Sequence, residues 1–142
     1  MKDARIGALI LTAAGAVAVL FGGLTILSGG QALFGGPEAH AAAGNVVPFV
    51  LWFNFGAGFA YVIAGTGLLI RQAWAVWLSG IIALATVLVF VAFGVHVQQG
   101  GAYEVRTIGA MVLRSGSWVL IAVIARRHYA GQRRSKDATL NR

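Results

Sequence analysis

Three features predict an all-α integral membrane protein, a four-helix bundle running up, down, up and down with both termini in the cytoplasm. The first is composition: 58% of the 142 residues are hydrophobic and 11% are charged, against roughly 45 to 50% apolar in an average soluble domain. The mean hydropathy is +0.80. The second is a set of four apolar runs, residues 6–28, 46–70, 73–97 and 107–125. At about 1.5 Å of rise per residue, each is long enough for a hydrocarbon core of roughly 30 Å. The third is the placement of charge, which is confined almost entirely to the ends of these runs.

The first run follows Lys2 and Arg5 and contains only Thr12 and Thr25 as notable polar groups. Its apolar core exceeds the roughly 7 to 15 residues of a secretory signal, so it is expected to be retained as a helix despite the cleavage-like Ala39-His40-Ala41. A Gly/Ala-rich outer loop, residues 29–45, follows, and its Gly35-Gly36-Pro37 step predicts a sharp turn. Pro48 is tolerated in the first turn of the second run, where amides lack helical partners. Arg71-Gln72 makes a very tight inner turn, and residues 98–103 make a short outer one. Short connections force antiparallel neighbours.

Orientation follows from the basic residues. Of the eleven Lys and Arg residues, only Arg106 and Arg114 fall away from the side that carries Lys2, Arg5, Arg71, Arg126, Arg127 and the basic end of the chain. The positive-inside rule places that side in the cytoplasm, and the membrane is expected to be a bacterial inner membrane. Residues 1–130 then form one transmembrane domain and 131–142 a basic cytoplasmic tail. The net charge of +7 is explained by orientation, with no need for a nucleic-acid partner. The absence of cysteine removes disulfides, thiolate metal sites and cysteine nucleophiles.

Arg114 is the charge that does not fit. It lies near the middle of the fourth run, where insertion of a guanidinium costs roughly 2.5 to 3.5 kcal/mol, so a polar interior is expected to receive it. On the second run, Asn54, Gly58, Tyr61 and Gly65 share one face, and Gly56, Ala60 and Ala64 form a second stripe of small residues. Arg114 shares its face with Ala110 and Ser117. Counted from the outer ends of their runs, Asn54 and Arg114 lie at similar depth, about 10 Å down, and Asn54 is placed to accept from Arg114. Arg114, Asn54, Tyr61 and Ser117 are the candidate ligand site, suited to an anion because none of the four runs contains an acidic residue. The structural alternative is a polar contact holding helices together.

The outer rim collects Glu38, His40, His96 and Glu104, whose imidazoles and carboxylates are the ligand types of Zn, Cu or Fe. Their spacing matches no metal motif. Arg106 is placed to pair with Glu38, and Glu104 to face the positive end of the last helix. A bis-histidine heme would need two facing histidines, and only His96 lies near a helix interior. Trp52, Trp74, Trp77 and Tyr103 are interfacial anchors, and Trp118, deeper, is a cation-π candidate for Arg114.

Four-helix membrane proteins of this length include small multidrug exporters, the DoxX-like group and membrane glutathione transferases. The exporters would show a glutamate in the first helix, which this chain lacks. With no nucleophile-base pair or cofactor fingerprint, the reading that comes first is a non-enzymatic accessory or assembly subunit, packing through Gly/Ala faces against its own copies or a larger complex in the lipid. A transporter or binding protein for an anionic or amphipathic ligand comes second. An outer-face metal protein or membrane enzyme comes third.

Overall fold

The computed structural model describes the backbone over residues 2–140 and side chains over residues 5–131. Five helices follow one another, α1 (Lys2–Phe34), α2 (Pro37–Ala43), α3 (Pro48–Leu69), α4 (Trp74–Gln98) and α5 (Val105–Leu140). There is no strand among the described residues. Four segments are long and apolar enough to cross a membrane: Arg5–Phe34, Pro48–Leu69, Trp74–Gln98 and Val105–Gly131. The shortest, 22 residues, spans about 33 Å. The chain therefore has the form of an integral membrane protein, and large apolar side chains such as Leu9, Leu20, Trp77 and Leu113 are exposed along the outside, as lipid contact requires.

α1 and α5 overrun the apolar segments from which they were predicted, whereas α3 and α4 match theirs to within two residues at each end. α1 continues through Gly29 to Phe34, and α5 continues through the basic stretch to Leu140, because Ala, Gln, Lys and Arg are good helix formers and no proline intervenes. Side chains beyond Gly131 lie outside the described residues, as do residues 141–142, so the expected basic tail is placed only as backbone.

α1 and α3 meet along glycines spaced seven apart on both helices. A Cβ added at Gly22 would sit 2.8 Å from the Gly58 carbonyl oxygen, and one added at Gly65 would sit 2.8 Å from that of Gly15. Neither space exists, so the backbones touch, and numbers fall along α3 as they rise along α1. This is the close approach that small residues allow between membrane helices. Gly56, by contrast, faces open space.

The α3–α4 turn closes with Gln72 N donating to Gly67 O at 2.7 Å and Arg71 N donating to Leu68 O at 3.1 Å. This paired capping pattern needs a left-handed residue, and Arg71 takes that role with φ of 56°. α4 ends the same way, with Gly101 N on His96 O and Gly100 N on Val97 O, but there a glycine, Gly100 at φ 80°, occupies the left-handed position without steric cost.

Two apolar clusters fill the interior. The larger contains Leu11, Ala18, Tyr61, Leu68, Ala75, Ile82, Trp118 and Ala125. The smaller contains Val47, Val50, Phe93 and Met111. On α5 the buried stripe runs Met111, Arg114, Ser115, Trp118, Ile121, Ala122, Ala125, so a polar layer stands between the two clusters. Ser79 and Thr86 on α4 are also buried, but their hydroxyls donate to Ala75 O at 2.8 Å and Ile82 O at 2.7 Å within their own helix, which satisfies them locally.

Candidate functional site

Arg114 is 7% exposed. Its Nη2 donates to Thr25 Oγ1 on α1 at 3.3 Å, and its guanidinium carbon lies 5.6 Å from the centre of the Phe21 ring, one helical turn from Thr25. Nε and Nη1 have no partner. A guanidinium has five N–H donors in a rigid fork, and here one long hydrogen bond and a cation-π contact are all that the protein supplies. The cation faces α1, a side the sequence offered only as an isolated threonine.

The sequence paired Arg114 with Asn54. The structure places both on the wall of one cavity but does not join them: Asn54 Oδ1 is buried without a partner, and the arginine turns to Thr25. The cavity has a volume of about 500 Å³ and is lined in its polar part by Thr25, Ser28, Gln31, Asn54, Arg106 and Arg114. Its apolar wall is formed by Ala32, Ala39, Ala42, Val46, Leu51 and Ala110. Among the described residues no carboxylate lines it. That volume lies within the roughly 300 to 1,000 Å³ of small-molecule sites.

Tyr61 and Ser117 stand away from this wall. Tyr61 is fully buried, its ring 6.1 Å from Phe21 and 4.7 Å from Trp118, and it lies near enough to Arg114 for the two to interact electrostatically. Ser117 is half-buried and does not line the cavity. Trp118 is enclosed against Tyr61, and the cation-π contact of Arg114 goes to Phe21 instead.

α2 borders the cavity, which remains open to the surroundings. The seven-residue helix opens with Pro37, whose fixed φ and missing N–H suit a first helical position, and three of its alanines, Ala39, Ala42 and Ala43, line the space beneath. α5 fastens its far end. Arg106 Nη2 donates to Ala42 O at 2.6 Å and also to Ala43 O, placing a cation at the negative end of the helix. Glu104 Oε1 accepts from Asn45 N at 2.8 Å. Gly44 lies between with φ of 68°, and a Cβ there would collide with the Glu104 carboxylate. The predicted Arg106–Glu38 pair is not formed, because backbone carbonyls take the guanidinium and Glu38 remains exposed.

The four rim residues do not converge. His40 Nδ1 contacts Gly36 O at 3.2 Å, and His96 Nε2 contacts Ala102 O at 3.2 Å. Glu104 is engaged by Asn45. Among the described residues, no three His, Asp or Glu side chains are grouped closely enough to hold a metal ion. Glu104 instead holds the backbone just after α2, and His96 contacts the backbone of the α4–α5 turn.

Comparison with protein families, with characterised proteins and with solved structures finds no match. The site must be read from its own chemistry.

Proposed function

We propose that this chain is an inner-membrane binding protein, or a small carrier, for an anionic amphiphile. Its four spans run up, down, up and down with both termini in the cytoplasm and the cavity bordered by α2 on the outer side. The observation that carries the reading is the guanidinium of Arg114, buried with two nitrogens unpartnered on the wall of a cavity lined, among the described residues, by no carboxylate. Nε and Nη1 are shielded from water, so a carboxylate or phosphate would engage them by drawing the side chain away from Thr25 and into the cavity, where it would supply the charge-assisted hydrogen bonds the protein withholds. Asn54, whose Oδ1 is likewise shielded, would turn to accept from a hydroxyl or amide on the same head group. The wall from Ala32 to Leu51 and Ala110 suits a short apolar tail.

The accessory-subunit reading depended on Gly/Ala faces left free for a partner. Gly58 and Gly65 are used inside the chain, against Gly22 and Gly15, but Gly23, Gly56, Gly94, Gly109 and Gly116 meet nothing within 4 Å, so small-residue faces remain for a partner and this reading stands second. The metal version of the third reading finds no grouped ligands among the described residues.

Decanoate is a suitable trial ligand, with decanol as its uncharged counterpart. The purified protein in a maltoside detergent should melt at a higher temperature with decanoate and at an unchanged temperature with decanol. Equal shifts with both, or none with either, would refute a charge-reading site.

A further inference from the structure

A second basic site lies outside the cavity, at the end of the spans where α3 turns into α4. A groove of about 420 Å³ is lined by Arg5, Ala8, Leu9 and Thr12 of α1 and by Arg71 of the turn. The two arginines come from different elements, both are exposed, and among the described residues no acidic side chain lines the groove. Arg71 is held in place by the capping hydrogen bonds of its turn. The rest of the groove is apolar in character: Leu9 is 70% exposed, and the Thr12 hydroxyl is turned back onto Ala8 O at 3.0 Å.

Depth is indicated by tryptophan. Trp74 and Trp77 are exposed just beyond the turn, and indole rings collect at the membrane–water boundary. The groove therefore lies at the level of lipid headgroups, with its apolar wall running toward the acyl region. We infer that Arg5 and Arg71 together clamp the phosphate of an acidic phospholipid, its first acyl methylenes lying along Ala8, Leu9 and Thr12. Two guanidinium forks meet the geometry of a phosphate group, and basic pockets between membrane helices recognise acidic headgroups by this means. A free phosphate would satisfy the arginines alone; the apolar wall favours the lipid. This inference is independent of the Arg114 cavity.

Native mass spectrometry of the full-length protein, released from maltoside micelles after incubation with phosphatidylglycerol or phosphatidylcholine, tests it. One phosphatidylglycerol should stay bound per chain and phosphatidylcholine should not. The R5Q/R71Q pair should weaken phosphatidylglycerol retention about 30-fold. R126Q/R127Q removes as much charge and should weaken it by roughly twofold at most. If that pair matches R5Q/R71Q, the attraction is diffuse and the site is refuted; equal retention of phosphatidylcholine refutes it as well. Displacement of the lipid by millimolar inorganic phosphate would overturn the lipid assignment. Should R5Q/R71Q fail to fold, R5Q alone, at an exposed position, carries the test, with an expected loss of about fivefold.

Discussion

At Arg114 the sequence spends an insertion cost of roughly 2.5 to 3.5 kcal/mol and recovers little of it within the chain. A hydrogen bond to Thr25 at 3.3 Å and the Phe21 ring at 5.6 Å leave most of the guanidinium unsatisfied, so the residue lowers stability, the cost that the proposed anion site would explain. Arg114→Leu is therefore expected to insert normally and to melt at the same or a higher temperature, in contrast to the usual cost of altering a buried residue. A drop of several degrees would mean that Arg114 holds the helices together. Gly44 shows the opposite case. Its φ of 68° and its contact with the Glu104 carboxylate leave no room for a side chain, and Gly44→Ala should cost at least about 1 kcal/mol, seen as a lower melting temperature. Arg114 was legible as an anomaly because it is the one charge inside an apolar run. Its partner was not: Thr25 and Phe21 stand 89 and 93 residues earlier, and nothing in a single sequence specifies which face of α1 turns toward α5.

At the scale of elements, the α1–α3 seam and α2 set the shape of the cavity. Gly58 and Gly56 lie two residues apart on α3, yet a Cβ at Gly58 would come within 2.7 Å of Ile26 Cγ1, whereas one at Gly56 meets nothing within 4 Å. Gly58→Ala should destabilise the protein by about 1 to 3 kcal/mol through overpacking. Gly56→Ala should be neutral or stabilising by up to about 1 kcal/mol. Comparative melting of the two variants checks this. The seven-residue recurrence of Gly15, Gly22 and Gly29 was present in the sequence, and it is the signal that would have identified the α1 face of the seam. α2 was only half legible. Gly35-Gly36-Pro37 announced a turn, but the helix after it and its attachment to Arg106 depend on contacts more than 60 residues apart. Arg106→Ala should free α2, giving faster amide hydrogen exchange over residues 37–45 while α3 and α4 stay protected. Unchanged exchange would mean that α2 does not depend on that arginine.

For the whole molecule, apolar run length predicted the four candidate spans, since the bilayer imposes a length that composition alone reveals. Direction across the membrane comes from charge asymmetry, and cysteines introduced singly at Ala42 and Ala138 should label from opposite sides of intact cells; labelling of both from outside would reverse the proposed topology. In the proposed topology α2 is on the outer side, which would put the cavity, with its uncompensated cation, away from the basic end. The most direct test of that cavity's role is the dissociation constant of decanoate for the wild-type protein and for Arg114→Leu, measured by calorimetry in the same detergent. A charge-assisted hydrogen bond contributes about 1.5 to 3 kcal/mol, so binding should weaken by at least about tenfold while the variant stays folded; equal affinity of the two proteins would contradict the assignment of Arg114 as the anion-binding residue.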